Sequence, residues 1–562
     1  MSVIIPTAVW KCFRGLRRKF SYSSCCVRND ESAGYSVGAP PRRVISTLLF
    51  IAFMNSALAQ TVSIPDPGLN AAIRDALHIP SGPLTAQDLL GLTVLDASRR
   101  NVSSTVGLEA ARNLVSVNLQ INQLTSFSIP TTLTNLLVLD LTGNPLTSFS
   151  PPGVLMNLAS LTAEGCSLTN LTIPATLTGL TNLDVEGNNI STFNLPSNLC
   201  GLVFLDLGFN LFTNFSLPGG LTGLSSFYFA GNPLTNVTLP ADMSGLTELN
   251  LSQSLLTSVA LPTGMTNLEE LDLGFNQLTN LTLPADLQSL ADLDLDFNQL
   301  SALNFPSDLT NLSLLHLRAN QFTNFTLPAG LTGLTYLDVS DGPLRAISLP
   351  AGLNHLLSLR IRGNTNLTSL TLPTGMTNLT GLNLTDNRLT NVVLPPDLNH
   401  LQTLDLGGNL LTSLALPPGL ASLTGLFLTG NLLTSLTLPP DMTRLTALGF
   451  LANPLTTLVL SESLAASTNL TVNLTTLDSL PGQGVSVFTY PLAIQLARPR
   501  QLNGAFQFVI SGPPGVYSVL GSTDLATWSP LGFATNSLGS INFTDVTAGF
   551  SPQKFYRAQP AP

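Results

Sequence analysis

The sequence predicts a mainly β repeat solenoid, and three observations carry that prediction: a 22-residue rhythm, a column of asparagines inside it, and a shortage of charge. The rhythm begins near Leu114 and runs to about Leu460. One turn reads Leu268-x-x-Leu271-x-Leu273-x-x-Asn276-x-Leu278, and the next reads Leu290-x-x-Leu293-x-Leu295-x-x-Asn298-x-Leu300. Self-similarity at this period means that no repeat buries its own apolar face, so each must stack on its neighbours.

Counted from its first leucine, each repeat is apolar at positions 1, 4, 6, 11 and 14, usually also at 16 and 20. The alternation at 4-x-6 has the strand period of two, so positions 3, 5 and 7 point outward while 4 and 6 point inward. Stacking makes these segments one long parallel sheet. The second half of the repeat, as in Leu278-Thr-Asn-Leu281-Thr-Leu283-Pro284, alternates again and ends at a proline. Proline has no backbone donor and biases its predecessor to extended geometry, so the opposite side is expected to be extended or a short 3₁₀ turn, with no room for a full helix.

Position 9 carries Asn122, Asn144, Asn188, Asn210, Asn232, Asn276, Asn298, Asn320, Asn364, Asn387, Asn409, Asn431 and Asn453, with Cys166, Ser254 and Gly342 in the gaps. An amide has two donors and an acceptor, so an inward asparagine satisfies the bare backbone groups of a turn. These residues are read as a structural ladder. One extra residue in Asn364-Thr-Asn-Leu367 shifts the later register.

The consensus L-x-x-L-x-L-x-x-N-x-L resembles the leucine-rich repeat in the short form of internalin-like bacterial secreted proteins. The match covers about sixteen repeats. The resemblance implies a horseshoe with a concave parallel sheet, used for binding macromolecules.

The ends divide the chain further. Residues 1–59 are expected to be a leader and secretory signal: Arg42-Arg43, an apolar run too short for a membrane span, and Ala57-Leu58-Ala59 with cleavage after Ala59. The 41 residues before Arg42 imply either a long leader or a start downstream of Met1. Residues 60–113 are read as a helical N-terminal cap and a degenerate first repeat. Asp66-Pro67 offers a cap with proline at the first helical position, and Thr85 followed by Asp88 offers a second start. The solenoid spans 114–468 and a linker 469–484. Residues 485–562 read as a small C-terminal β-sandwich with short alternating runs such as Phe506-x-Phe508-x-Ile510. This last segment resembles terminal β modules of secreted bacterial proteins.

Removing residues 1–59 takes away eight of the 22 basic and two of the 32 acidic residues, leaving a formal charge of −16. Such a chain lacks the electrostatic footprint for nucleic acid or anionic membranes. Charged residues are 10% of the chain, against about 25% in ordinary domains, so the positive mean hydropathy reflects ladder leucines and no integral span. Cys166 and Cys200 are not placed to pair. The four histidines, His78, His316, His355 and His400, have no second His, Cys or paired carboxylate at metal-ligand spacing, and no catalytic motif is present. No enzyme, metal or cofactor is therefore expected.

The outward side of the strands is the face to read. Position 5 is aspartate at Asp140, Asp184, Asp206, Asp272, Asp294, Asp338 and Asp405. Across neighbouring strands, about 4.8 Å apart, the run Glu270, Asp272, Asp292, Asp294 and Asp296 crowds like charges. A basic and aromatic group follows at once: His316, Arg318, Tyr336, Arg360 and Arg362, with Phe275 and Phe297 beside the acids. Aromatics and arginine are the usual anchors of interfaces. The expectation is a secreted or cell-surface monomer that binds a protein or glycan through this face. The rival reading has the C-terminal β-sandwich bind polysaccharide while the solenoid acts as a spacer.

Overall fold

The computed structural model describes residues 60–561 apart from 308, 474–475, 503 and 551–552. The expected signal segment lies outside the described residues. Among those described, a single parallel sheet of eighteen strands runs from Val94–Asp96 to Thr471–Val472. Nearly every strand is three residues long, because positions 3 to 5 are all that remain extended before the chain turns. Pairing follows the sequence period: Glu270 lies opposite Asp292, Leu271 opposite Leu293, and Asp272 opposite Asp294. The extra residue near Asn364 is absorbed without a break, Ser358 pairing with Gly381.

The opposite side of the coils is extended, as the prolines require. Asn280–Thr282 pairs in parallel with Ala302–Asn304, and Asn324–Thr326 with Ala346–Ser348. Between the two sides lies one apolar core that runs from Ile64 to Val485. Leu268, Leu271, Leu273 and Leu278 are at most 1% exposed, and full burial of such a side chain is worth about 1.5–3 kcal/mol. The helix Pro67–Leu77 adds Leu69, Ala72 and Ile73 to the same core. Asp66 starts it by accepting the Leu69 N–H at 2.9 Å, and Thr85 and Asp88 form a reciprocal capping box ahead of Ala86–Leu89.

Leucines make the coils stack; side-chain bonds to backbone fix how. The Asn298 amide donates to Leu273 O of the preceding coil at 2.9 Å and to Leu295 O of its own at 3.2 Å, while its oxygen accepts the Leu278 N–H at 3.0 Å. Two of the three gaps in this ladder are compensated locally. Where Cys166 or Ser254 offers no acceptor to the coil before it, Leu146 N–H turns back to Asn144 O and Leu234 N–H to Asn232 O, both at 2.8 Å. Each is a three-residue turn centred on a proline, Pro145 or Pro233, whose fixed φ suits it. A second cross-coil link went unread in the sequence. Gly220, Gly375 and Gly419, at φ of 90–97°, donate N–H to Asp242, Asp397 and Asp441 one coil later, at 2.6, 2.7 and 2.5 Å. The Gly264 N–H meets Asp286 in the same way.

Beyond the long sheet, Ser486–Tyr490 pairs in parallel with Thr457–Ser461, and the buried Tyr490 hydroxyl donates to Leu438 O at 2.7 Å. The chain then forms two three-stranded antiparallel sheets, Gln495–Leu502 with Ala505–Ser511 and Ser540–Asp545, and Gly515–Ser522 with Ser529–Asn536 and Phe555–Pro560. Phe508, Ile510, Tyr517 and Val519 are buried between them. Cys166 and Cys200 are free thiols.

Replacing Asn298 with Ala strands four backbone partners and is expected to lower unfolding stability by about 1–3 kcal/mol. The exposed Asn280, which lies outside the ladder, should cost far less. Denaturant midpoints of the two variants measure the difference.

Candidate functional site

The outward positions of the long sheet have a structural duty that composition alone conceals. At Asp96, Asn118, Asp140, Asp184, Asp206, Asn250, Asp272, Asp294, Asp338, Asn383 and Asp405 the side-chain oxygen of position 5 accepts the backbone N–H two residues on. This is an Asx turn, which closes the strand into the following loop. The aspartate column is therefore built partly for backbone geometry, and asparagine serves equally well. Each aspartate still has a second oxygen, and its charge, to present outward.

That charge accumulates in the middle coils. Tyr228, Glu248, Asn250, Glu270, Asp272, Asp292 and Asp294 line a shallow pocket of about 170 Å³ on the strand face. Burial pushes the Glu270, Asp272 and Asp292 carboxyls upward, and neighbouring acids push the same way. Asp296 is pushed up to about 7, chiefly by burial and then by Asp294. Among the described residues Glu270, Asp272, Asp294 and Asp296 take part in no side-chain ion pair. The Tyr228 hydroxyl donates to Glu248 at the pocket wall.

The next coils carry the basic and aromatic group. His316 lies opposite Asp294 in the sheet, its ring 4.8 Å from that of Tyr336. The Arg360 guanidinium stacks over Tyr336 at 5.4 Å. Arg318 bonds Asp341 at 2.7 Å and covers the Phe297 ring at 5.3 Å, and Arg362 reaches the other oxygen of Asp341 at 3.8 Å. The two arginines thus pair with Asp341, which the sequence reading did not single out, rather than with the acids of the pocket.

Phe275 and Phe297 sit at position 8, at the edge of this face. They are 53% and 38% exposed, stacked with centroids 4.4 Å apart, and each has φ of 55°. Seven other coils place glycine there, at Gly143, Gly165, Gly187, Gly231, Gly363, Gly408 and Gly430, and others place Ile121, Phe209, Gln253, Ala319, Asp341, Asp386 or Ala452, all with positive φ. A side chain in that conformation costs about 1–2 kcal/mol, a cost these two share with the other non-glycine residues at the position; what sets them apart is that two exposed rings stack on neighbouring coils.

The structure also joins groups that separate segments hid. One ligand atom from each of Asp294, Asp296 and His316 falls within a 4.8 Å cluster. A search for ligands spaced within one segment misses it, yet the period contains the signal, since His316 follows Asp294 by one repeat.

The family model for the BspA type leucine-rich repeat region matches residues 119–202, 208–321 and 299–409, together just over half of the chain. The chain belongs to this family. No curated protein matches it in sequence. Among solved structures, an internalin, InlF of Listeria monocytogenes, is 25% identical over 60% of this chain and 93% of its own, with a TM-score of 0.45. The functional domain of InlJ from the same organism is 18% identical over 81% and 96%, with a TM-score of 0.44. YopM of Yersinia pestis is 20% identical over 77% and 100%, with a TM-score of 0.46. No helix among the described residues of this leucine-rich repeat protein is long and apolar enough to cross a membrane.

Burial in the acidic column gives the protein a signed pH dependence. Asp206 is pushed up to about 7, mainly by burial, from an ordinary 3.8. Between those values the native chain binds the proton that the unfolded chain has lost, so this group's contribution to stability falls as pH rises from about 4 to 7. Asp206→Asn keeps the acceptor for Gly208 N–H and removes the buried charge. It is expected to raise unfolding stability at pH 8 by roughly 1 kcal/mol after solvent screening, with little effect at pH 4. Equal effects at both pH values would reject the cause.

Proposed function

We propose that this leucine-rich repeat protein is a non-enzymatic binding protein that recognises a protein or glycan through the strand face of coils Glu248 to Arg362. The observation that carries the reading is the Phe275–Phe297 stack, exposed and conformationally costly, beside an acidic pocket on one side and the Tyr336–Arg360 and Arg318–Asp341–Arg362 groups on the other. An exposed aromatic pair beside arginine is the composition of an interface anchor and supports contact with a partner. In this reading the chain is a secreted or cell-surface protein of bacterial type and a monomer. The helix Pro67–Leu77 caps one end of a concave solenoid, residues 1–59 direct export, and the terminal sheets form a β-sandwich module.

A second reading rests on the terminal module. Phe533 and Val546 are each 71% exposed there, which favours a polysaccharide contact with the solenoid as spacer. Tyr517 is buried and its hydroxyl is donated to Pro513 O, so it has no part in that contact.

Capture of envelope proteins and of a polysaccharide panel by the full chain tests both. Phe275→Gly with Phe297→Gly is expected to abolish capture without lowering the unfolding midpoint, because glycine relieves the backbone. Asp272→Asn with Asp294→Asn should weaken it while preserving both Asx turns. Capture unchanged by these variants but lost in Phe533→Ser would transfer the function to the terminal module.

A further inference from the structure

We infer that Asp294, Asp296 and His316 form a binding site for a single divalent transition ion of the zinc class. The inference stands on its own geometry, apart from the reading of the face as a recognition surface. Its starting point is one of the residues that break the turn pattern. In eleven coils position 5 is Asp or Asn and closes the Asx turn. His316 occupies that position, and the Arg318 N–H that it leaves is accepted instead by Asp296 Oδ1 of the preceding coil, at 2.7 Å. The substitution frees an imidazole from backbone duty and fixes one oxygen of Asp296, so that the second oxygen has a defined direction.

Three donors then converge. Parallel pairing sets His316 directly across from Asp294, and one atom each from His316, Asp294 and Asp296 lies within 4.8 Å of the others. The imidazole has a neighbour on each side. Tyr336 packs against its ring at 4.8 Å, and Asp292 Oδ1 lies 3.9 Å from Nε2. That oxygen is buried and has no hydrogen-bond partner, which is the position of a carboxylate that orients a ligating histidine. Two carboxylates balance a divalent charge. The donor set of one imidazole nitrogen and two oxygens suits zinc and its neighbours, whereas calcium requires six to eight oxygens. Three protein ligands leave coordination positions open at the surface for water or for a donor atom of whatever docks there.

Calorimetric titration of the full chain, stripped with a chelator, with zinc chloride at pH 7 tests the site. One zinc per chain is expected, with a dissociation constant on the order of 10 μM or tighter. His316→Ala and Asp296→Asn should abolish binding, Asp292→Asn should weaken it by about tenfold, and the exposed His355→Ala and His400→Ala should leave it unchanged. Zinc should raise the thermal midpoint of the parent chain and not that of His316→Ala, whose metal-free midpoint reports that it folds. Zinc binding unaffected by His316→Ala, no binding at all, or calcium bound in preference would each overturn the inference.

Discussion

Hydrogen bonds from side chains of one coil to the backbone of its neighbour are the constraint on which the structure depends. A three-residue strand is short, and a core of near-identical leucines penalises a slip of one residue, which turns the strand over, more than a slip of two. The ladder amides remove the remaining freedom by tying each turn to the carbonyls and N–H groups of the coil before it. The Gly–Asp links at Gly220–Asp242, Gly375–Asp397 and Gly419–Asp441 do the same on a different part of the coil. With the backbone pinned at several points per turn, the outward side chains stand at fixed spacing, and a cluster assembled from different coils has a defined geometry.

The same constraint explains where variation is tolerated. A ladder gap at Cys166 or Ser254 is accommodated because the orphaned N–H is caught by a proline-centred turn in the preceding coil. A base at position 5 is accommodated because the preceding coil supplies a substitute acceptor: Asp296 for Arg318 N–H, and the Ser340 hydroxyl for Arg362 N–H at 3.1 Å. His316 and Arg360 thus stand where the repeat ordinarily requires Asp or Asn, and compensation one coil earlier makes this possible.

Much of this was legible in the sequence, for physical reasons that differ by element. Strand positions, the inward leucines and the helix starts at Asp66 and Thr85 follow from periodicity and local capping chemistry, and they hold in the structure. Glu270, Asp272, Asp294, His316 and Tyr336 lie on neighbouring strands of one sheet, as the period, which is itself a register, implies. The roles of individual groups were not legible. That Asp272 accepts Gly274 N–H, that Arg318 pairs with Asp341 rather than with the pocket acids, and that Phe275 faces solvent depend on loop conformation. The repeat count does not reveal it. Position 8 holds glycine in some coils and other residues in the rest, so the positive φ that Phe275 and Phe297 share with all of them was not visible in the sequence.

The account places function where the repeat departs from its own rules, on the strand face between Glu248 and Arg362. Amide hydrogen exchange of the full chain, with and without its captured partner, tests that placement most directly. The account predicts slowed exchange in the loops that follow the strands Glu270–Asp272 to Ser358–Arg360, with the terminal sheets unchanged. Protection confined to residues 495–560, with these loops exchanging as before, would contradict it.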